Sequence, residues 1–252
     1  MRQSKQVQRT KGSSRDSSKI KPKFQSQREE AVKANPLRPM NDKQAEYIKL
    51  IENFPVIVAT GFAGTSKTYI PTVMAADSFK VGRVNKIIIT RPAISSSQSV
   101  GFTVGSFQQK MTMWLGSVIP ILKERLGSAM LEIALEQGDI EFVPLEVLKG
   151  MSINNAFMII EESSDLTKEE VIKIVTRMGK NSTLILAGDV RQSELKGDSG
   201  LVWLTGFIER HKMQDIFGWI DFDSTDDIVR SDAVKRFIIN LVRDEKKAFN
   251  KS

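Results

Sequence analysis

The chain has 252 residues, 40% hydrophobic and 27% charged, with a net charge of +7, a single histidine and no cysteine. That length can bury one substantial core, while the missing cysteines exclude disulfides and thiolate metal sites, and His211 alone cannot build a histidine zinc site. No apolar run approaches the ~20 residues of a membrane span, and no hydrophobic stretch follows the first charges, so a cytoplasmic protein is expected.

The basicity is uneven. The first 38 residues carry +8 and the remainder carries −1. Residues 1–35, rich in Ser, Gln, Lys and Arg, lack the apolar surface to offset the entropy of ordering and are expected to form a disordered basic arm. Such an arm can neutralise phosphates without reading sequence, or simply solubilise the chain. Asn35-Pro36 and Arg38-Pro39 mark the entry to a folded region over 36–252.

Asn41 then caps a helix, DKQAEYIKLIEN, whose Ala45, Ile48 and Ile51 share one face. VIVAT follows as a buried strand, and GFAGTSKT, residues 61–68, joins it to the helix YIPTVMAADSFK. VNKIIIT is a second strand ending in Arg91-Pro92, and AISSSQSVGFTVGSFQQ after it reads as a surface loop. Helical patterns cover KMTMWLGSVIPILKERLG and SAMLEIALEQG, where Met111, Met113 and Trp114 read as packing residues. IEFVP, AFMIIEE and STLILAGD are further strands, with QDIFGWIDF a sixth. TKEEVIKIVTRMG opens on a Thr167/Glu170 capping box, His211 lies in a polar run that reads as surface, and the last segment, SDAVKRFIINLVRDEKK, places Val234, Phe237, Ile238 and Leu241 on one helical face. Strands alternating with helices give an α/β fold: a mostly parallel sheet covered on both faces.

Gly61, Ala63, Gly64, Thr65, Ser66, Lys67 and Thr68 have the setting of a phosphate-binding loop (P-loop). The glycines let backbone N–H groups approach phosphates at a helix N-terminus, Lys67 reaches the β/γ oxygens, and Thr68 ligates Mg²⁺. Glu161 and Glu162 end the apolar run FMII, where one carboxylate can serve the metal and the other can orient a nucleophile. In a parallel sheet these strand tips, with Arg91 and Gly188-Asp189, share one edge and can meet around one nucleotide.

In the order TGFAGTSKTY, IIITRPA, EFVPLEVLKGMSINNAFMIIEES, IVTRMG and GDVRQSELKGDSGL, residues 41 to 242 resemble the PhoH-like family of bacterial and phage ATPases. The resemblance implies a single RecA-like domain related to superfamily-one helicases, ATP and Mg²⁺ as cofactors, and single-stranded nucleic acid, RNA first, as partner. Glu162 matches the glutamate that orients attacking water, with Glu161 beside Thr68 at the metal, and Gln192 matches a glutamine that senses the γ-phosphate. Gln44 looks like the upstream glutamine that reads adenine. Arg91 and the loop after it correspond to a segment that contacts nucleic-acid backbone in helicases. Arg177 and Arg230 both match positions suited to an arginine finger. About 210 residues are too few for two RecA-like domains, so a finger from a neighbouring subunit is expected, in a homo-oligomeric ring, hexameric by family analogy.

Three positions depart from the family pattern: Ser66 replaces a glycine, Glu161 replaces an aspartate, and Ser163-Ser164-Asp165 stands where an Ala-Gln-Asn-like run is usual. They leave a second expectation open, a nucleotide-binding module with weak or no hydrolysis. A small-molecule kinase is a third reading, but the sequence displays neither lid nor acceptor pocket.

Overall fold

The computed structural model describes residues 35–92, 116–148, 150 and 153–249. The expected basic arm (all but Asn35), the serine-rich loop after Arg91, and Met111, Met113 and Trp114 lie outside the described residues.

The elements run α1 (Asp42–Asn53), β1 (Val56–Gly61), α2 (Tyr69–Lys80), β2 (Lys86–Thr90), α3 (Ile119–Leu126), α4 (Ser128–Gln137), β3 (Ile140–Phe142), α5 (Leu145–Leu148), β4 (Ala156–Ile160), α6 (Lys168–Val175), β5 (Thr183–Ala187), α7 (Gly200–His211), β6 (Phe217–Phe222) and α8 (Asp232–Phe249). The six strands form one sheet in the order β3-β2-β4-β5-β1-β6, and every pairing is parallel. This α/β arrangement is the one expected, and it is consistent with a RecA-like fold.

Alternation along the strands explains why both faces are covered. Ile57, Ala59, Ile87, Ile89, Phe157, Ile159 and Ile185 turn to one side and pack with Tyr47 and Ile51 of α1, Phe79 of α2, and Leu122 and Leu126 of α3. Val56, Val58, Ile88, Met158, Ile160, Leu184 and Leu186 turn to the other, against Val171 and Ile174 of α6 and Leu201, Leu204 and Ile208 of α7. Strands β1 and β4 are buried at every position, as central parallel strands require.

Local signals hold as read. Asn41 Oδ1 accepts from Gln44 N at 2.8 Å, and the capping box closes both ways, Glu170 N to Thr167 Oγ1 at 3.3 Å and Thr167 N to Glu170 Oε2 at 3.0 Å. His211 is exposed. The helical pattern read across 110–127 is shorter in its described part. A turn occupies 116–118, α3 starts at Ile119 with Pro120 in its first turn, and Gly127 at φ +79° ends it. In α8 the apolar residues Val234, Phe237 and Leu241 are exposed.

Candidate nucleotide site

β1 lies between β5 and β6, while the chain leaving it for β2 passes over β5 and β4. Crossovers of this kind leave a crevice at the C-terminal ends of the strands, where ligands of open α/β sheets bind. A cleft of about 580 Å³ lies there. Ala63, Gly64, Ser66, Lys67 and Thr68 line it from the loop after β1, Arg91 from β2, Glu161 and Glu162 from β4, Asp189 and Gln192 from β5, and Arg230 from the segment before α8.

Close approach dictates the two glycines of the loop. A Cβ on Gly61, at φ +120°, would sit 2.3 Å from the Phe222 carbonyl oxygen of β6, and one on Gly64, at φ +81°, would sit 2.6 Å from Arg230 Cγ. Val229 N donates to Gly64 O at 3.0 Å, which straps the segment carrying Arg230 across the loop. Tyr47, fully buried on α1, donates its hydroxyl to Lys67 O at 3.0 Å and anchors the loop from below. Burial pushes that phenol up from its ordinary range, so it stays a neutral donor.

Lys67 turns its ammonium into the loop. Nζ donates to Gly61 O at 2.7 Å and Phe62 O at 2.6 Å. Burial lowers its pKa to about 8, opposed first by the Asp189 carboxylate and then by Glu162. The Thr68 hydroxyl lies close enough to the Glu161 carboxyl to act on its pKa, so the two residues expected at the metal are neighbours. Burial raises the Glu161 pKa, while the Thr68 hydroxyl and the nearby Arg91 act the other way. Glu162 sits in the left-handed region at φ +49°, with an Oε1 3.9 Å from Arg91 Nη2.

Among the described residues no three His, Cys, Asp or Glu side chains cluster into a metal cage. The donors expected at the metal are the Thr68 hydroxyl and the Glu161 carboxylate, with Glu162 beside them. This set suits Mg²⁺, which is commonly held by one or two protein oxygens together with substrate phosphates.

Four expected site residues do not line the cleft: Gly61 and Thr65 stay inside the loop, Thr65 with its hydroxyl on Phe62 O, and Gln44 and Arg177 lie elsewhere. Gln44 is buried and does not line the cleft; its Oε1 accepts from Met40 N at 2.9 Å and its Nε2 donates to Ser66 Oγ at 3.3 Å. Arg177 follows α6, which runs back from the tip of β4, and its carbonyl accepts from Ile153 N ahead of β4. It therefore sits at the opposite edge of the sheet, and only Arg230 of the two candidate fingers reaches this chain's cleft. Ser66 adopts φ +73°, a glycine-like conformation in the position where the resemblance implies a glycine.

Gly188 stands at the strand tip where the sequence placed it, whereas Arg191 was passed over. A Cβ on Gly188 would meet Ser164 N at 2.5 Å, so only glycine lets the tips of β4 and β5 close together. Arg191 pairs with Asp189, Nε to Oδ1 at 3.1 Å, and its guanidinium carbon lies 3.6 Å from the Phe62 ring centroid. The signal available was its place between Asp189 and Gln192, but nothing local shows that it faces another strand's loop.

The PhoH-like protein family matches residues 36–241, which takes in the whole sheet and every residue of the cleft. The chain belongs to the PhoH-like family. It is 33% identical over 223 residues to the PhoH-like protein of Bacillus subtilis (strain 168), covering 85% of this chain and 68% of that one. It is 32% identical over 206 residues to Protein PhoH of Escherichia coli (strain K12), covering 80% and 57%, and 32% identical over 159 residues to the PhoH-like protein of Synechocystis sp., covering 63% and 48%. The chain thus spans little more than half the length of the second relative and about half of the third. The PhoH-like family is one of P-loop ATPases. No helix among the described residues is long and apolar enough to cross a membrane.

Proposed function

We propose that this PhoH-like chain binds ATP with Mg²⁺ in the cleft, hydrolyses it, and couples hydrolysis to single-stranded nucleic acid, with RNA the expected strand. One observation carries the reading: four separate segments bring a lysine, a hydroxyl–carboxyl pair, a second carboxylate, a glutamine and an arginine to the same strand tips. Phosphoryl transfer asks for this set, because its catalysis is mostly positioning and electrostatics.

Lys67 exchanges the Gly61 and Phe62 carbonyls for phosphate oxygens. Thr68 and Glu161 would hold the metal, which would supply positive charge against the phosphates. Glu162 orients water and accepts its proton. Gln192 reads the terminal phosphate from the β5 tip, and Arg230 supplies positive charge from the strap over Gly64. Gln44 acts through Ser66 as a support for the loop; adenine contact requires it to leave Ser66. Arg177, at the far edge, serves as a finger only towards a neighbouring copy, which is the expectation for a homohexameric ring in the cytoplasm. The basic arm and the segment after Arg91 supply the nucleic-acid contacts.

A second reading, nucleotide binding with weak or no hydrolysis, draws on two observations: Ser66 is held in a conformation costly for a residue with a Cβ, and burial favours the neutral form of Glu161. Steady-state phosphate release with and without single-stranded RNA separates the readings. Stimulated release supports a coupled ATPase; tight ATP binding without release supports the binding module; neither binding nor release removes both.

A further inference from the structure

We propose that Arg191 is a positioning residue: stacked on Phe62 and paired with Asp189, it latches the turn after β5 to the loop after β1 and sets that loop for phosphate before nucleotide arrives. The function of the latch rests on the nucleotide reading above; its effect on the loop is measurable without nucleotide.

A guanidinium can satisfy both partners at once. Its edge donates to a carboxylate while its face lies on an aromatic ring, which a lysine ammonium cannot imitate. Here Nε donates to Asp189 Oδ1 at 3.1 Å, the Arg191 backbone N donates to the same oxygen at 3.2 Å, and the guanidinium carbon is 3.6 Å from the Phe62 centroid. Asp189 is only 6% exposed and Phe62 5%. A carboxylate so buried is costly unless paired, so the turn has one favoured arrangement, with Arg191 in place.

Phe62 is the residue around which the loop winds. Its N donates to Phe222 O at 3.0 Å, adding one bond beyond the end of β1. Its carbonyl accepts from Thr65 Oγ1 at 2.8 Å and from Lys67 Nζ at 2.6 Å. Fixing the ring therefore fixes the carbonyl that organises Thr65 and Lys67. The two tips are already neighbours in the sheet, with Gly188 N donating to Ala59 O at 3.1 Å, and the next residue after Arg191 is Gln192 of the cleft. Of the charges around Lys67, Asp189 acts on it most strongly. With Arg191 removed, Asp189 would draw the ammonium out of the loop and away from incoming phosphate.

A latch closed before binding lowers the cost of ordering the loop, so its loss weakens nucleotide affinity more than turnover. The test uses the full chain with Arg191→Ala, Arg191→Lys, Phe62→Leu, Phe62→Tyr and the Arg191→Ala/Phe62→Leu double. ADP and ATP affinities come from calorimetry, turnover from phosphate release, and loop order from amide hydrogen exchange of the nucleotide-free protein. Arg191→Ala, Arg191→Lys and Phe62→Leu should each weaken ADP about five- to tenfold with a smaller loss in kcat, and the double should be no weaker than the worse single within about twofold. Phe62→Tyr, which keeps the ring face, should restore most of the affinity. Exchange over residues 61–68 should quicken in Arg191→Ala while β1 stays protected. Effects that multiply in the double, parent-like binding by Arg191→Lys, or unchanged loop exchange would overturn the latch. If the parent binds neither nucleotide, the nucleotide reading fails while loop exchange still decides: faster exchange in Arg191→Ala upholds the latch, unchanged exchange overturns it.

Discussion

The two edges of the sheet solve the same backbone problem with different residues. At the N-terminal edge, Asn155 and Asn181 turn the chain into β4 and β5 at φ +51° and +59°. At the C-terminal edge, Ser66 and Glu162 take φ +73° and +49°. Asparagine visits this region readily because its short amide bonds locally, whereas serine and glutamate have less to offset the clash of Cβ with backbone. Each edge also has a hollow, and the larger, about 930 Å³, is the one bounded by Asn181, with Met178, Met213, Val84 and Phe217 on its walls. The smaller gathers Lys67, Glu161, Glu162, Asp189 and Arg230. Volume is thus a poor guide to the candidate site here; charge convergence and residues held in unfavoured conformations point to the C-terminal edge.

The largest effect should come from Glu162. Glu162→Gln should lower single-turnover hydrolysis by about 10²–10⁴ while ATP affinity, measured by calorimetry, changes little. Glu162→Gly should also abolish turnover, yet raise thermal stability by roughly 1 kcal/mol, because glycine occupies this φ without strain. A destabilised glycine variant would break the comparison, since the conformation would then be stabilised by the glutamate and not merely tolerated. Next, Lys67→Ala should weaken ATP binding by about 1.5–3 kcal/mol through loss of a charge-assisted contact. Unchanged affinity would remove the loop from the site.

Ser66→Gly with Glu161→Asp should raise turnover at least about tenfold, roughly 1.4 kcal/mol of transition-state stabilisation. Glycine frees the loop from a costly conformation, and the shorter acid opens room beside Thr68 for an ion. Because both flank one ligand, single and double variants should be coupled in steady-state assays. A parent already as fast as the double would show that the strain at Ser66 is harmless to chemistry.

The pH dependence of binding sharpens the same contrast. Lys67 titrates near 8 in the free protein because burial strips its ammonium of water. Bound triphosphate favours the charged form and raises the pKa. Affinity should therefore be level below about pH 8 and fall by up to about tenfold per pH unit above it, until the pKa of the complex is reached. Calorimetry in buffers of different ionisation enthalpy should register proton uptake on that limb. A flat profile to pH 9.5 would mean that Lys67 does not meet phosphate.

Much of this was legible because it is local. Apolar runs bounded by glycine and polar residues gave all six strands, and the Asn41 cap and Thr167/Glu170 box needed only neighbours in sequence. The loop and Glu161-Glu162 were legible because their chemistry is written contiguously. What was not legible depends on distant partners. Gln44 is buried because Met40 N and Ser66 Oγ take its amide, 22 residues apart in the latter case. Arg177 and Arg230 look equivalent as letters, and only the direction of α6 and the Val229–Gly64 strap tell them apart. Arg191 finds Phe62 only because β5 is placed beside β1, a consequence of strand order that no local pattern contains.

The smallest expected effect tests the N-terminal edge by itself. Asn181 is exposed at φ +59° on the rim of the larger hollow, whose lining shares no residue with the cleft. In Asn181→Gly two contributions oppose each other. Removing Cβ relieves the left-handed conformation, by less than it would at serine because asparagine already tolerates it; the unfolded chain meanwhile gains freedom that folding must remove. Stability should accordingly shift by no more than about 0.5–1 kcal/mol in chemical denaturation, with no fixed sign demanded. ATP affinity and turnover should stay within about twofold of the parent, since substitutions with no shared partners act independently. A change of tenfold in either would join the two edges energetically, turn the larger hollow into a second site that the first one senses, and leave the contrast between Asn181 and Ser66 without its meaning.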